Sequence, residues 1–279
     1  MSTHHHRDHH PQHDVLTEVL DLDAEIFAPA MREVHQDIER TADSPVRTIL
    51  DLGAGTGAGT LGLLQFFADA TATAVDASAE MLRHLERRAE ALALSGRITT
   101  VGADLDEGLP ATEPVDLAWA SASLHHLADP ARTVAQIAEA VRPGGLLAVV
   151  ELDGFPRFLP DGTPGGDVEA RVHARLAADR AVDMPSMGSD WGRRLTGAGL
   201  DVVLHRTVSL DLAPPTPPVV ARYAAAVLTR VRGAVADRLA PVDRSLLDTL
   251  LDGGADDVRD RDDLHVSAER WLWIARRPV

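Results

Sequence analysis

Short apolar runs alternate with amphipathic segments through the central part of the chain. The runs predict five strands, over residues 48–50, 72–75, 97–101, 115–120 and 146–151. The segments between them carry apolar residues at helical spacing, and they predict helices over residues 59–69, 79–94 and 130–141. Strands that alternate with helices form a parallel sheet with helices on both faces, so the pattern predicts an α/β fold.

The segments before and after this central part do not show the same alternation of strands and helices. Residues 15–40 repeat apolar positions at helical spacing, which predicts one or two amphipathic helices before the sheet. Beyond residue 153, a loop rich in Pro and Gly spans residues 155–166. The remaining segments predict helices over 167–181, 190–198, 219–239 and 241–251, and strands over 200–210 and 265–276.

A glycine-rich loop follows the first predicted strand directly. Residues 51–57 read Asp-Leu-Gly-Ala-Gly-Thr-Gly, with Gly53, Gly55 and Gly57 at alternate positions. Glycines there allow a tight turn and let a ligand approach the main chain. The loop leads into a helix N-terminus, whose free N–H groups attract negative charge, whereas Asp51 would suit a cationic group.

Two more acids stand at the ends of the next two strands. Asp76 ends the second strand, and Asp104 follows the third. The carboxyl ends of parallel strands meet at one edge of the sheet, so Asp51, Asp76 and Asp104 should line one crevice. A carboxylate at Asp76 can accept hydrogen bonds from both hydroxyls of a ribose, and Asp104 could accept one from an adenine amino group. The combination predicts a nucleoside-type cofactor.

This stretch resembles the class I S-adenosylmethionine-dependent methyltransferases. Residues 51–57 look like the family's first motif, residues 115–121 with 124–127 its fourth-strand motif, and residues 141–146 the turn before its fifth strand, with Arg142 where many members carry Lys. The resemblance covers residues 46–153. It implies that S-adenosyl-L-methionine is the cofactor and that its contacts come from Asp51, Gly53, Ala54, Gly55, Asp76, Ala77, Met81, Asp104, Leu105 and Ser121.

The resemblance also implies an architecture. It predicts a doubly wound, Rossmann-like seven-stranded sheet with an N-terminal helical cap, helical insertions and an antiparallel closing strand. We therefore divide the chain into four segments. They are a His-rich disordered tail (1–14), the helical cap (15–45), the S-adenosylmethionine-binding core (46–153), and the lid helices with the closing strands of the same domain (154–279).

Candidate catalytic residues follow the fourth and fifth strands. His125 and His126 come after the fourth strand, and an imidazole suits a general base at neutral pH. Glu151 and Asp153 end the fifth strand as alternative bases or substrate ligands. Each has a plainer interpretation: a packed or loop-bonded histidine, or a carboxylate in a solvated loop.

The amino-acid composition limits the kinds of partner and metal site that can be expected. The net charge is -16, which disfavours nucleic acid because a surface this acidic repels phosphates. The chain contains no Cys and no Asn, so thiolate zinc sites are excluded and no metal site is predicted, although the six histidines within residues 4–13 could bind one. No apolar run suggests a signal peptide or membrane span, so we expect a cytoplasmic protein.

The preferred hypothesis is a methyltransferase acting on a small organic acceptor, possibly a secondary metabolite. The long insertions favour it because a lid of 155–189 and 213–263 would exclude water from a small pocket. Two alternatives remain open. Residues 53–58 also fit the dinucleotide pattern G-x-G-x-x-A of an NAD(P)-dependent oxidoreductase. The chain could also bind the cofactor without transferring a methyl group.

Overall fold

A computed structural model describes residues 11–184 and 186–279. The strands are β1 (Thr48–Leu52), β2 (Thr71–Asp76), β3 (Ile98–Gly102), β4 (Val115–Ser121), β5 (Val141–Leu152), β6 (Asp201–Leu212) and β7 (Val266–Arg276). The helices are α1 (Pro11–Thr41), α2 (Ala58–Phe66), α3 (Ala79–Ala91), α4 (Pro130–Ala140), α5 (Pro164–Asp183), α6 (Trp191–Gly197), α7 (Pro218–Val235) and α8 (Pro241–Thr249).

The strands form one seven-stranded sheet in the order β3-β2-β1-β4-β5-β7-β6. β1 to β5 are parallel, and β7 runs antiparallel between β5 and β6. The strand order reverses between β1 and β4, which creates the crevice in which open α/β sheets bind ligands. The predicted fold class is confirmed, including the antiparallel closing strand.

Each face of the sheet is covered by its own apolar layer. Side chains of α1 and α2 pack on one face around Ile49 and Trp119. Side chains of α4 and α6 pack on the other face around Leu50 and Leu147. Neighbouring residues of a buried parallel strand point to opposite faces, which is why residues 49–50 of β1 and 146–150 of β5 form continuous apolar runs.

The insertions build a further apolar cluster. Helices α5, α7 and α8 pack with α1 around Phe27, Phe158 and Tyr223. Glu169 of α5 is buried here and accepts hydrogen bonds from the backbone N–H groups of Phe158 (2.9 Å) and Leu159 (3.0 Å). Burial raises the pKa of Glu169 to about 7. The contacts hold the loop that follows β5 against the helices.

Three details differ from the sequence prediction or fall outside the described residues. β5 begins at Val141 and not at residue 146, because Val141 pairs with Val115 before the register shifts. Helix α1 is continuous and already includes residues 11–14, which were assigned to the tail. Residues 1–10, which hold most of that tail, lie outside the described chain. Within the described residues, no helix is long and apolar enough to span a membrane.

Candidate active site

The glycine loop turns sharply between β1 and α2. Gly53, Gly55 and Gly57 have φ angles of 72°, 52° and 81°, in the left-handed region that favours glycine. The N–H groups of Gly53 and Ala54 donate to the carbonyl oxygen of Val75 at 2.9 and 3.0 Å. The loop is therefore anchored to the end of β2, where Asp76 lies.

Ser123 lies directly against the loop, and the sequence analysis missed it. A Cβ atom built on Gly53 would lie 2.5 Å from the Cβ of Ser123, so no larger residue fits. The Ser123 hydroxyl donates to the carbonyl oxygen of Leu52 at 2.7 Å. Serine is common in loops, and nothing in its spacing marks this contact, which joins the loop after β4 to the end of β1.

Asp51 lies beneath the loop and not on its open side. Its side chain is 2% exposed, and its Oδ2 accepts a hydrogen bond from the hydroxyl of Thr60 at 2.5 Å. Burial raises the pKa of Asp51 to about 7, with a further contribution from the charge of Asp76. The predicted contact of Asp51 with a cationic group stays a prediction.

Asp76 holds the loop from the side of β2. Its Oδ2 accepts from the N–H of Gly55 at 2.8 Å, and its Oδ1 accepts from the N–H of Ser78 at 2.7 Å. Each carboxylate oxygen has a second lone pair, so both can still accept hydrogen bonds from a ribose. Ala77 is exposed beside Asp76, and Met81 is buried in the first turn of α3.

Asp104 lies on the neighbouring strand end. The N–H of Ala103 donates to the carbonyl oxygen of Asp76 at 3.1 Å, which brings the two acids to the same edge. The Asp104 side chain is exposed and accepts from the N–H of Asp106 at 2.9 Å, whereas Leu105 is buried. Ser121, at the end of β4, is half-buried. The contacts of Asp104, Leu105 and Ser121 with the cofactor stay predictions.

His125 and Glu151 form a buried pair. Nδ1 of His125 lies 2.6 Å from Oε2 of Glu151, and their side chains are 4% and 2% exposed. The other carboxylate oxygen of Glu151 accepts from the N–H of Leu124 at 3.0 Å. The interpretation of Glu151 as a solvated loop residue is therefore wrong. This carboxylate orients an imidazole, as the third member of a hydrolase triad does.

His126, unlike His125, is not buried. Its side chain is exposed, and its ring centroid lies 4.1 Å from that of His125. Burial of part of the ring and the neighbouring His125 lower the pKa of His126, and the positive charge of Arg230 adds to this effect. Arg230 stands on α7, so the helical insertion reaches the histidines. Asp153, the other candidate on β5, accepts a hydrogen bond from the indole N–H of Trp271 at 3.2 Å.

The arrangement fits a nucleoside cofactor by its chemistry. Among the described residues, a Cβ built on Gly55 would meet only Leu20 of α1, at 3.8 Å, so the backbone of Gly55 is covered by one apolar side chain. Carboxylates at two neighbouring strand ends suit hydroxyl and amino groups. The His125–Glu151 pair lies at the ends of β4 and β5, on the other side of the point where the strand order reverses.

Comparison with known proteins supports this interpretation. Residues 49–145 match the family described as "Methyltransferase domain". A trans-aconitate 2-methyltransferase from Azoarcus sp. is 35% identical over 48% of this chain and 50% of its own length. One of the same name from Deinococcus radiodurans is 29% identical over 85% of this chain and 89% of its own length. The matches to the first curated relatives span 50%, 62% and 61% of their lengths.

Solved structures share the architecture. A candidate methyltransferase from Bacillus halodurans superposes with a TM-score of 0.55 at 16% identity, covering 88% of this chain and 99% of the other. At that identity the likeness concerns the fold alone. The matched domain spans the glycine loop, Asp76, Asp104 and His125, and it occupies the part of the sheet where these residues meet. The chain therefore contains, at residues 49–145, a segment that matches the methyltransferase domain family.

Proposed function

We propose that this protein transfers a methyl group from S-adenosylmethionine to a small organic acceptor. The observation that carries the proposal is the juxtaposition of two sites at one sheet edge. The glycine loop is tied to Asp76 through the N–H of Gly55, and the buried His125–Glu151 pair lies at the ends of the next strands. Relatives named for trans-aconitate support a small acceptor. The net charge of -16 disfavours nucleic acid.

The loop and the strand-end acids would hold the cofactor. Asp76 would accept hydrogen bonds from the ribose hydroxyls, while Asp104 and Leu105 would contact the adenine. The loop backbone and the start of α2 would bind the carboxylate of the methionine portion, because free N–H groups at a helix N-terminus favour negative charge. When bound, S-adenosylmethionine supplies a methyl group on a sulfonium, and the protein's contribution is alignment.

His125 is the proposed general base. Glu151 accepts the Nδ1–H hydrogen bond, which assigns the proton of the neutral imidazole to Nδ1 and leaves the lone pair on Nε2. Nε2 would then take the proton of a hydroxyl or amino acceptor as its oxygen or nitrogen forms the new bond to carbon. Glu151 stabilises the imidazolium that results. Helices α5, α7 and α8 would exclude water from the acceptor.

A carboxylate acceptor is the second candidate. Four relatives are named for trans-aconitate and one for the malonyl group of an acyl carrier protein. A carboxylate is already ionised at neutral pH and requires no base, so a protonated His125 would donate a hydrogen bond to it instead. The positive charge of Arg230 beside His126 favours an anion at this position.

Labelled methyl transfer tests the proposal and separates the two acceptor classes. Methyl-labelled S-adenosylmethionine is incubated with the protein and with two panels, one of small carboxylic acids including trans-aconitate and one of phenols and alcohols. We expect label in one panel and its loss in His125→Ala, with His205→Ala, an exposed residue on β6, as the matched control. Absence of transfer to either panel, together with binding of NADH, would favour the oxidoreductase alternative.

A further inference from the structure

The side chain of Arg88, on α3, joins the glycine loop to the N-terminal helix. Its Nη1 donates to the backbone oxygen of Thr56 at 2.9 Å and to the Thr56 hydroxyl at 3.2 Å. The same nitrogen lies 2.8 Å from Oδ1 of Asp21, on α1. Thr56 is 2% exposed, so the loop end of this contact is shielded from water. Hydrogen bonds with a charged donor are among the stronger ones.

Helix α1 contacts the loop at two points. Asp21 is held from a second side, because its Oδ2 lies 2.8 Å from Nε2 of His84, one turn before Arg88. Leu20, the preceding residue of α1, lies over Gly55. A cavity of about 410 Å³ opens beside these contacts, and Asp21, Glu25, His84 and Arg222 are among its lining residues. At this point α1 and α3 therefore meet through polar side chains rather than through a closed apolar core.

Adjacent residues of the loop are held from opposite directions. Asp76 accepts from the N–H of Gly55 on the side of β2, and Arg88 donates to the carbonyl of Thr56 on the side of α3. The peptide after Thr56 leads to Gly57, which has a φ of 81° and a backbone that requires glycine. The N–H of the same peptide, on Gly57, donates to the carbonyl oxygen of Ala54 at 2.9 Å. Loss of the Arg88 contact would leave the peptide with that hydrogen bond alone, and the loop would hold its conformation less firmly.

We propose that Asp21 and Arg88 form a latch, through which docking of the N-terminal helix sets the conformation of the glycine loop and hence the affinity for the cofactor. The inference rests on the proposed function, in which this loop binds S-adenosylmethionine. Arg88 is a positioning residue, because it acts through Thr56. Coupling between two equilibria is reciprocal, so a bound cofactor must also stabilise the docked α1.

Calorimetric titration with S-adenosylhomocysteine tests the latch. We expect Arg88→Gln and Asp21→Asn each to raise Kd by about tenfold, the effect of one charged hydrogen bond. The double variant should lose no more than Arg88→Gln alone, because Asp21 acts on the loop only through Arg88. Arg83→Gln is the matched control, since Arg83 is exposed on the same helix and has no hydrogen bond or ion pair among the described residues. The control should bind as the wild type does.

Hydrogen exchange supplies a readout that a merely structural role would not change. In the wild type, S-adenosylhomocysteine should slow hydrogen exchange of the amides of residues 15–28. In Arg88→Gln this slowing should disappear. The melting temperature of Arg88→Gln without ligand should stay close to that of Arg83→Gln. Equal affinity in the wild type and Arg88→Gln would overturn the latch alone. A wild-type chain that binds no S-adenosylhomocysteine would overturn the proposed function, and the latch with it.

Discussion

Oε2 of Glu151 lies 2.6 Å from Nδ1 of His125, with both side chains buried at the ends of neighbouring parallel strands. The register between β4 and β5 explains why the two side chains are close, because Ser121 of β4 pairs with Val150 of β5. The short segment after Ser121 then carries His125 back over the end of β5. A carboxylate that already accepts a backbone hydrogen bond can orient this imidazole without further rearrangement.

Removal of the base should lower the turnover number and spare the cofactor site. We expect His125→Ala to reduce kcat by at least about 100-fold with a hydroxyl acceptor, the lower end of the contribution of general bases. Glu151→Gln should act in the same direction, because the neutral amide neither orients the imidazole nor stabilises the imidazolium. Initial rates at saturating S-adenosylmethionine measure both effects. A kcat unchanged in both variants would show that alignment alone suffices.

Asp76→Ala should weaken binding of S-adenosylhomocysteine by about 1.5–3 kcal/mol, the range for a hydrogen bond to a charged group. The substitution removes the ribose acceptor and also the contact with the N–H of Gly55. Calorimetry gives the dissociation constant. Asp69→Ala, an exposed acid just before β2, serves as the control. An affinity equal to that of the control would contradict the assignment of Asp76.

Asp51 should make the cofactor-free protein less stable as pH rises. Burial raises its folded pKa to about 7 from 3.8, so between these values the unfolded chain releases a proton that the folded chain keeps. Stability therefore falls through this window, by at most about 4 kcal/mol. Asp51→Asn cannot titrate and can still accept from Thr60. In urea unfolding, the variant should gain stability relative to the wild type from pH 5 to pH 8, and a constant difference would rule out this charge effect.

Glu169→Ala should destabilise the layer of inserted helices. It would leave the buried N–H groups of Phe158 and Leu159 unpaired, at about 1–3 kcal/mol each. Urea unfolding measures the change, and Glu139→Ala, at an exposed position of α4, should leave the free energy of unfolding nearly unchanged. If the two variants unfold alike, water must satisfy these groups in the absence of the carboxylate.

The sheet and its ligand edge were predictable because they depend on local patterns. Apolar runs indicate the strands, and parallel strands bring Asp76 and Asp104 to one edge whatever the details of packing. His125 and Glu151 were each predicted, but their pairing was not, because it depends on the β4–β5 register. That register is set by packing across the whole sheet.

The contacts that α1 makes could not be predicted from the sequence. Helical periodicity shows which face of α1 is apolar, but it does not say which element that face covers. The ion pair between Asp21 and Arg88 therefore carried no signal beyond the position of Arg88 three residues after the buried Leu85. The boundary of β5 was misplaced for a related reason, since the glycines at 144 and 145 indicate a turn while the backbone continues in the sheet.

Calorimetric titration of the wild-type protein with S-adenosylhomocysteine, with NADH titrated in parallel, tests the central claim most directly. The account predicts saturable binding of one S-adenosylhomocysteine per chain and no binding of NADH, because the glycine loop and Asp76 lie in the segment that matches the methyltransferase domain. Saturable binding of NADH, or no heat from S-adenosylhomocysteine, would contradict the account.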